Sequence, residues 1–152
     1  MPKVAIIMGS ASDGECMKHC EEYLKFFGID FETRILSAHR NPEEVAAFAK
    51  NAEQNGIKVI IAAAGMAAHL GGVVAAHTVL PVLGVPMKGG LMDGLDALLS
   101  MVQMPAGVPV PTLAVGNSGA KNAAVTAVQI LALTDISLKE KLIEFKRNGC
   151  KI

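Results

Sequence analysis

The chain has no tryptophan and a single tyrosine among its 152 residues. A flavin carrier stacks its ring on aromatics, and Tyr23 falls in the middle of a helical pattern, so a flavin platform is missing. Charge is also scarce: 18% of residues are Asp, Glu, Lys or Arg, and the signs cancel to a formal net charge of zero. No Lys/Arg cluster precedes the C-terminal "LKEKLIEFKRNGCK", which mixes both signs as a solvated helix face does. The electrostatic footprint of a nucleic-acid partner is therefore absent. No apolar stretch reaches the about 20 residues needed to cross a bilayer, so no membrane partner is expected. The apolar run in "MPKVAIIMGSASD" meets polar residues too early for a secretory signal. Three cysteines, an odd number without paired spacing, exclude a disulfide framework and point to a cytoplasmic location.

What is present is apolar. Hydrophobic residues make up 51% of the chain and the mean hydropathy is +0.40, high for a small soluble monomer. The length suits one domain over residues 1–152, and the composition predicts that part of its surface is buried against copies of itself.

Short β-rich runs alternate with helical patterns. "KVAIIM" (3–8) is apolar on both faces, like a buried parallel strand. A helix follows, with Ser12 and Glu15 in capping-box spacing and Gly28 as its stop. Cys16, Cys20, Leu24 and Phe27 repeat at helical spacing and predict its inner stripe. "IDFETRIL" (29–36) alternates, as an edge strand does. Asn41 as N-cap and Pro42 at the first helical position open a helix expected to end at Gly56. "KVIIAAA" (58–64) predicts a third strand and "AAHLGGVVAAHTVL" a helix of small residues. "VLGVPM" (82–87) and "TLAVG" (112–116) predict strands four and five, separated by a short helix. Two helices close the chain, the last with Ser137 and Glu140 in capping-box spacing, and both are expected in oligomer contacts. The pattern is α/β: a three-layer, doubly wound sandwich around a five-stranded parallel sheet of order 2-1-3-4-5, as in flavodoxin-like folds.

That order aligns the loops after strands 1, 2 and 3 at the carboxyl edge of the sheet, where open α/β sheets bind ligands. "GSASD" brings Ser10, Ser12 and Asp13 to a helix N-terminus that favours an anion. Ser10 and Ser12 suit a phosphate, and Asp13 suits sugar hydroxyls. "SAHRNP" brings Ser37, His39 and Arg40, surplus to a cap that Asn41 already supplies. Arg40 is a natural phosphate fork, and His39 is of the one residue type suited by its chemistry to both take and return a proton near neutrality. "GMAAHLGG" offers Gly65 for close approach of a planar ligand; His69 either reaches the site or serves the core. Asn117 and Ser118 follow strand five. His77 reads as structural, the loop 103–112 as either a lid or a connection. No second ligand pair accompanies Cys16, His19 and Cys20, so no metal site is predicted. A nucleophilic Cys16 near the helix start is a minor alternative.

"GSASD", "SAHRNP", "GMAAHL", "GVP" and "QMPAGVPV", taken in register over essentially the whole chain, resemble the N5-carboxyaminoimidazole ribonucleotide mutase family of purine synthesis. Two positions depart from the usual pattern: Gly71 stands where a Pro is usual, and Asn41 where Thr is more frequent. The resemblance implies a small-molecule substrate, the carbamate of aminoimidazole ribonucleotide, whose carboxylate moves from the exocyclic nitrogen to ring carbon C4. It implies no metal, ATP or organic cofactor, and a homo-octamer. It also implies His39 as proton handler, Ser10, Asp13 and Arg40 as nucleotide contacts with Ser37 beside them, and Gly65 and His69 as walls around CO2. The related direct carboxylases, which use free CO2, typically carry Lys at the position of Arg40. A binding module of flavodoxin-like or receiver type is the rival of another class, but a receiver needs an Asp where this chain has Ala63 and Ala64.

Overall fold

A computed structural model describes residue 1 and residues 3–152. Four parallel strands form one sheet in the order β2-β1-β3-β4: β1 (Val4–Met8), β2 (Phe31–Ile35), β3 (Val59–Ala64) and β4 (Val82–Pro86). Six α-helices accompany them: α1 (Gly14–Phe27), α2 (Pro42–Asn51), α3 (Leu70–Ala75), α4 (Leu95–Val102), α5 (Asn117–Leu131) and α6 (Ile136–Arg147). Every residue of β1, β3 and β4 is buried, whereas β2 is partly exposed along its length and forms the edge. Strand alternation divides the core in two. Val4, Ile6, Ile61 and Leu83 face α1, α5 and α6. Ala5, Ile7, Ile60 and Val82 face α2, α3 and α4. The sheet is thus the middle of three layers.

The expected fifth strand does not form. Residues 112–116 run beside β4 but make only one isolated bridge, Thr112 to Gly84. Gly84 N–H donates to Pro111 O (2.8 Å) and Leu113 N–H to Gly84 O (2.9 Å), one regular rung of a parallel ladder. The next rung needs an N–H at residue 86, and Pro86 has none. The Pro86 carbonyl is taken by Gly116 N–H (2.9 Å), one residue past the position a regular ladder would use. Proline and a slipped register end the pairing at once.

Helix boundaries differ from expectation for local reasons. α1 is led by a 3-10 turn (Ala11–Asp13) whose capping box is Ser10 with Asp13, not Ser12 with Glu15. α2 ends at Asn51, whose side-chain amide bonds Ala47 O (2.9 Å), and the turn that follows closes at Gly56 in the left-handed region. α3 stops at Ala75, ahead of a turn in which Thr78 Oγ1 accepts from Leu80 N–H (3.2 Å). α6 is capped by Asp135, which accepts from the N–H groups of Ser137 and Leu138, rather than by Ser137. The predicted stripe of α1 is present: Cys20, Leu24 and Phe27 are fully buried and Cys16 packs against that core.

Candidate active site

The strands deliver their loops at one level because each ladder continues one step beyond its strand. Leu36 N–H donates to Met8 O (2.8 Å), Gly9 N–H to Ala63 O (3.0 Å) and Met87 N–H to Ala64 O (2.9 Å). In the first loop the Ser10 hydroxyl accepts from Ser12 N–H (3.3 Å) and lies 2.9 Å from the Ser12 hydroxyl. Asp13 Oδ2 accepts from Ser10 N–H (3.2 Å), which leaves Oδ1 free for a ligand. Asn41 makes no side-chain cap for α2; Ser37 Oγ accepts from Arg40 N–H (3.2 Å) instead. Ser37 is therefore not surplus: it ties the turn that projects His39 and Arg40 outward.

These loops enclose an open cleft of about 380 Å³. Ser10, Ser12, Asp13, Ser37, His39, Arg40, Gly65 and His69 all line it. A Cβ on Gly65 would come to ordinary contact distance, 3.4 Å, from that of Met87, so the loops after β3 and β4 lie side by side here. His69 sits at the N-terminus of α3 and faces the site, with Nδ1 2.9 Å from His39 Nε2 and the two rings at 78°. Arg40 forms no ion pair among the described residues. Burial raises the Asp13 carboxyl above its ordinary value, against the Ser10 N–H that lowers it. The Cys16 thiol is likewise raised, first by burial and then by the negative charge of Asp13, with Lys88 opposing. A raised thiol is the reverse of an activated nucleophile. The cleft can thus present a hydroxyl-rich anion corner, a guanidinium, a carboxylate oxygen and two joined imidazoles to one small molecule.

A family model described as AIR carboxylase matches residues 3–151. The chain belongs to the AIR carboxylase family. It is 55% identical over 148 residues to the N5-carboxyaminoimidazole ribonucleotide mutase of Saccharolobus solfataricus, covering 97% of this chain and 92% of that protein. It is 56% identical over 144 residues to the enzyme of the same name from Brucella melitensis, covering 95% and 89%. The crystal structure of Treponema denticola PurE superposes with a TM-score of 0.88 at 29% identity, covering 99% of this chain and 92% of that one.

In this AIR carboxylase family chain the cleft also contains residues that sequence reasoning missed: Met66, Met87, Lys88 and Gly90. Met66 has φ +53, an uncommon conformation for a side-chain-bearing residue. Lys88 follows β4, and its stem lies 3.2–3.5 Å from where a Cβ on Gly116 would be. The signal was a lone cation in a glycine-rich loop at a strand's carboxyl end, within "GVPMKGG". Asn117 lies in an adjoining hollow with Ser12 and Lys88, while Ser118 faces Tyr23 and Phe145 on another side. His77 bonds Val73 O (3.1 Å), away from the cleft. Residues 103–112 are not among the lining of their own chain's cleft; Met104 and Val110 pack against Gly72 and Gly71, as in a packed connection. Gly71 has a packing role here, since a Cβ would meet Val110 Cγ1 at 3.3 Å. Among the described residues no group of three His, Cys, Asp or Glu side chains can hold a metal ion.

Proposed function

We propose that this chain is an N5-carboxyaminoimidazole ribonucleotide mutase, moving carboxylate from the exocyclic nitrogen of the substrate to ring carbon C4 in purine synthesis. The observation that carries the reading is an imidazole, His39, adjacent to an unpaired guanidinium, Arg40, in a strand-end cleft of a chain from this family. Relatives bearing that enzyme name at more than half identity support it.

In this reading Arg40, Ser10, Ser12 and Ser37 hold the phosphate, and the free oxygen of Asp13 accepts from ribose hydroxyls. Protonated His39 gives its proton to the carbamate nitrogen as the N–C bond breaks, leaving the free amine and CO2. The electron-rich ring then forms a C–C bond from C4 to the carbon of CO2. C4 still carries its hydrogen, and neutral His39 removes that proton, restoring the aromatic ring and the starting state of the imidazole. The net reaction consumes no proton.

Retaining CO2 requires a closed site, whereas His39 and His69 are exposed in the single chain. We therefore propose that copies of the chain cover the cleft in an octamer. Leu91 and Met92, which follow directly on Gly90 of the cleft lining, are 74% and 81% exposed, which supports burial against another copy. Three free cysteines fit a reducing compartment, the cytoplasm.

Direct carboxylation of aminoimidazole ribonucleotide is the second reading, since the same residues could draw CO2 from solution. Unlabelled carbamate nucleotide supplied in ¹³C-bicarbonate buffer separates the two. The mutase delivers mostly unlabelled carboxylate at early times, after correction for spontaneous carbamate loss, and bicarbonate does not raise its rate. Early product carrying the solution label would establish direct carboxylation.

A further inference from the structure

The contact between His39 Nε2 and His69 Nδ1, at 2.9 Å, joins the loops after β2 and β3. One nitrogen must donate and the other accept, so the two rings cannot choose their tautomers independently. Consider the assignment in which His69 Nδ1 donates. His39 Nε2 is then an acceptor and its proton is on Nδ1. Adding a proton to His39 would place hydrogens on both sides of the contact and break it. In the opposite assignment His69 carries its proton on Nε2 and accepts through Nδ1. His39 keeps Nε2–H throughout, while its Nδ1 gains and loses a proton without disturbing the contact. Only this second arrangement lets His39 cycle between imidazolium and imidazole in a fixed orientation. Nothing among the described residues bonds His39 Nδ1.

We propose that His69 is a positioning residue: by accepting from His39 Nε2–H it fixes the tautomer of His39 and leaves Nδ1 as the nitrogen that exchanges protons with the substrate. The inference deepens the mutase reading and rests on it. His69 is held for this role by the start of α3, where Val73 N–H donates to its carbonyl (3.0 Å). The charged groups facing the pair are Arg40 on its own turn, Asp13 from the loop after β1 and Lys88 from the loop after β4. An acceptor at His69 meets His39 Nε2–H in both protonation states of His39, so the ring keeps one orientation through the proton cycle.

The test compares His69→Leu with His69→Asn, whose amide oxygen can replace Nδ1 as acceptor. His69→Leu should lower kcat about 10- to 100-fold with KM within about threefold, less than the loss expected on removing the proton carrier itself. Because activity in this direction needs protonated His39, its alkaline limb should move to lower pH. His69→Asn should recover most of the rate and the limb. Solid-state NMR of ¹⁵N-histidine protein, assigned with His39→Asn, should find neutral His39 as the Nε2–H form in the native enzyme and a mixture in His69→Leu. An unshifted limb in His69→Leu, or an asparagine variant as impaired as the leucine one, would overturn the proposal. So would a native His39 protonated at Nδ1. The spectra need no turnover, so native protein inactive on the carbamate but showing Nε2–H would reject the mutase reading and retain the tautomer lock.

Discussion

Ser37 shows how one side chain can serve the fold and the site together: its hydroxyl closes the turn by accepting from Arg40 N–H, and the turn aims Arg40 and His39. The two aimed residues should fail differently. Replacing His39 with Asn should cut kcat about 10²–10⁴-fold while leaving nucleotide affinity within about tenfold, as expected for a proton carrier. Arg40→Ala should weaken binding first, and Arg40→Lys should restore it only in part, since an ammonium lacks the guanidinium fork. Calorimetry alongside turnover measurements checks both; equal affinity in all three Arg40 proteins would remove its anion role. Asp13 carries a different signature. Burial raises its folded carboxyl above the unfolded value, so the folded state holds its proton more tightly, and stability is lost as pH rises through that raised value. Above that raised value the protein must bury the ionised carboxylate, which burial penalises. Asp13→Asn should therefore raise the melting temperature at pH 7, gain nothing below the ordinary carboxylate range, and weaken nucleotide binding. A melting temperature lowered equally at both pH values would contradict that account.

At the scale of elements, α1 ties the core to the site. Its inner stripe buries Cys20, Leu24 and Phe27, while its leading turn presents Ser10, Ser12 and Asp13. Burial pushes the Cys20 thiol far above its ordinary value, and the negative charge of Glu21 adds to the effect. The cysteines of α1 thus act as small apolar side chains. Cys16→Ala with Cys20→Ala should cost on the order of 1–2 kcal/mol in stability and leave turnover intact. Thermal melts and the mutase assay on the assembled double variant check this, and a folded but inactive variant would return the thiols to the mechanism. The failed fifth strand is an element-scale effect too. α5 approaches that segment so closely that a Cβ on Gly119 would run into the Ala114 carbonyl. Gly119→Ala should push residues 112–116 away from β4 and destabilise the protein by roughly 1–3 kcal/mol, as overpacking does. A melt like that of the native protein would show the contact to be soft.

For the whole molecule, the open cleft and the exposed Leu91 and Met92 that follow its Gly90 fit the proposed burial against another copy. Light scattering at micromolar concentration should give the mass of an octamer. Met92→Lys should lower that mass and the turnover together, because a buried unpaired charge is strongly unfavourable. A native monomer with full activity would dissociate assembly from catalysis.

Much was legible in the chain. Apolar runs on both faces at 3–8, 58–64 and 82–87 marked buried parallel strands, and the alternation in 29–36 marked the edge, because strand periodicity follows directly from the direction of Cβ. Once strands and crossovers are known, handedness and order bring their carboxyl-end loops together, which is why the eight site residues read from the sequence share one cleft. Propensity could not foresee that Pro86 would face a ladder position and stop a fifth strand, since proline harms a strand only where an N–H is demanded. Nor could it choose between Ser12 and Ser10 as the cap, or foresee that Asn41 would hold the N-cap position without a side-chain bond while Ser37 closes the turn before it, because each hydroxyl or amide had a local backbone partner within reach. The sequence by itself determined the layers, the order of the four strands and the set of polar residues at their carboxyl edge. Tertiary structure alone decided that Lys88 joins them and that His69 turns toward His39 instead of the core, because contacts 30 residues apart depend on how neighbouring strands end and not on any local pattern.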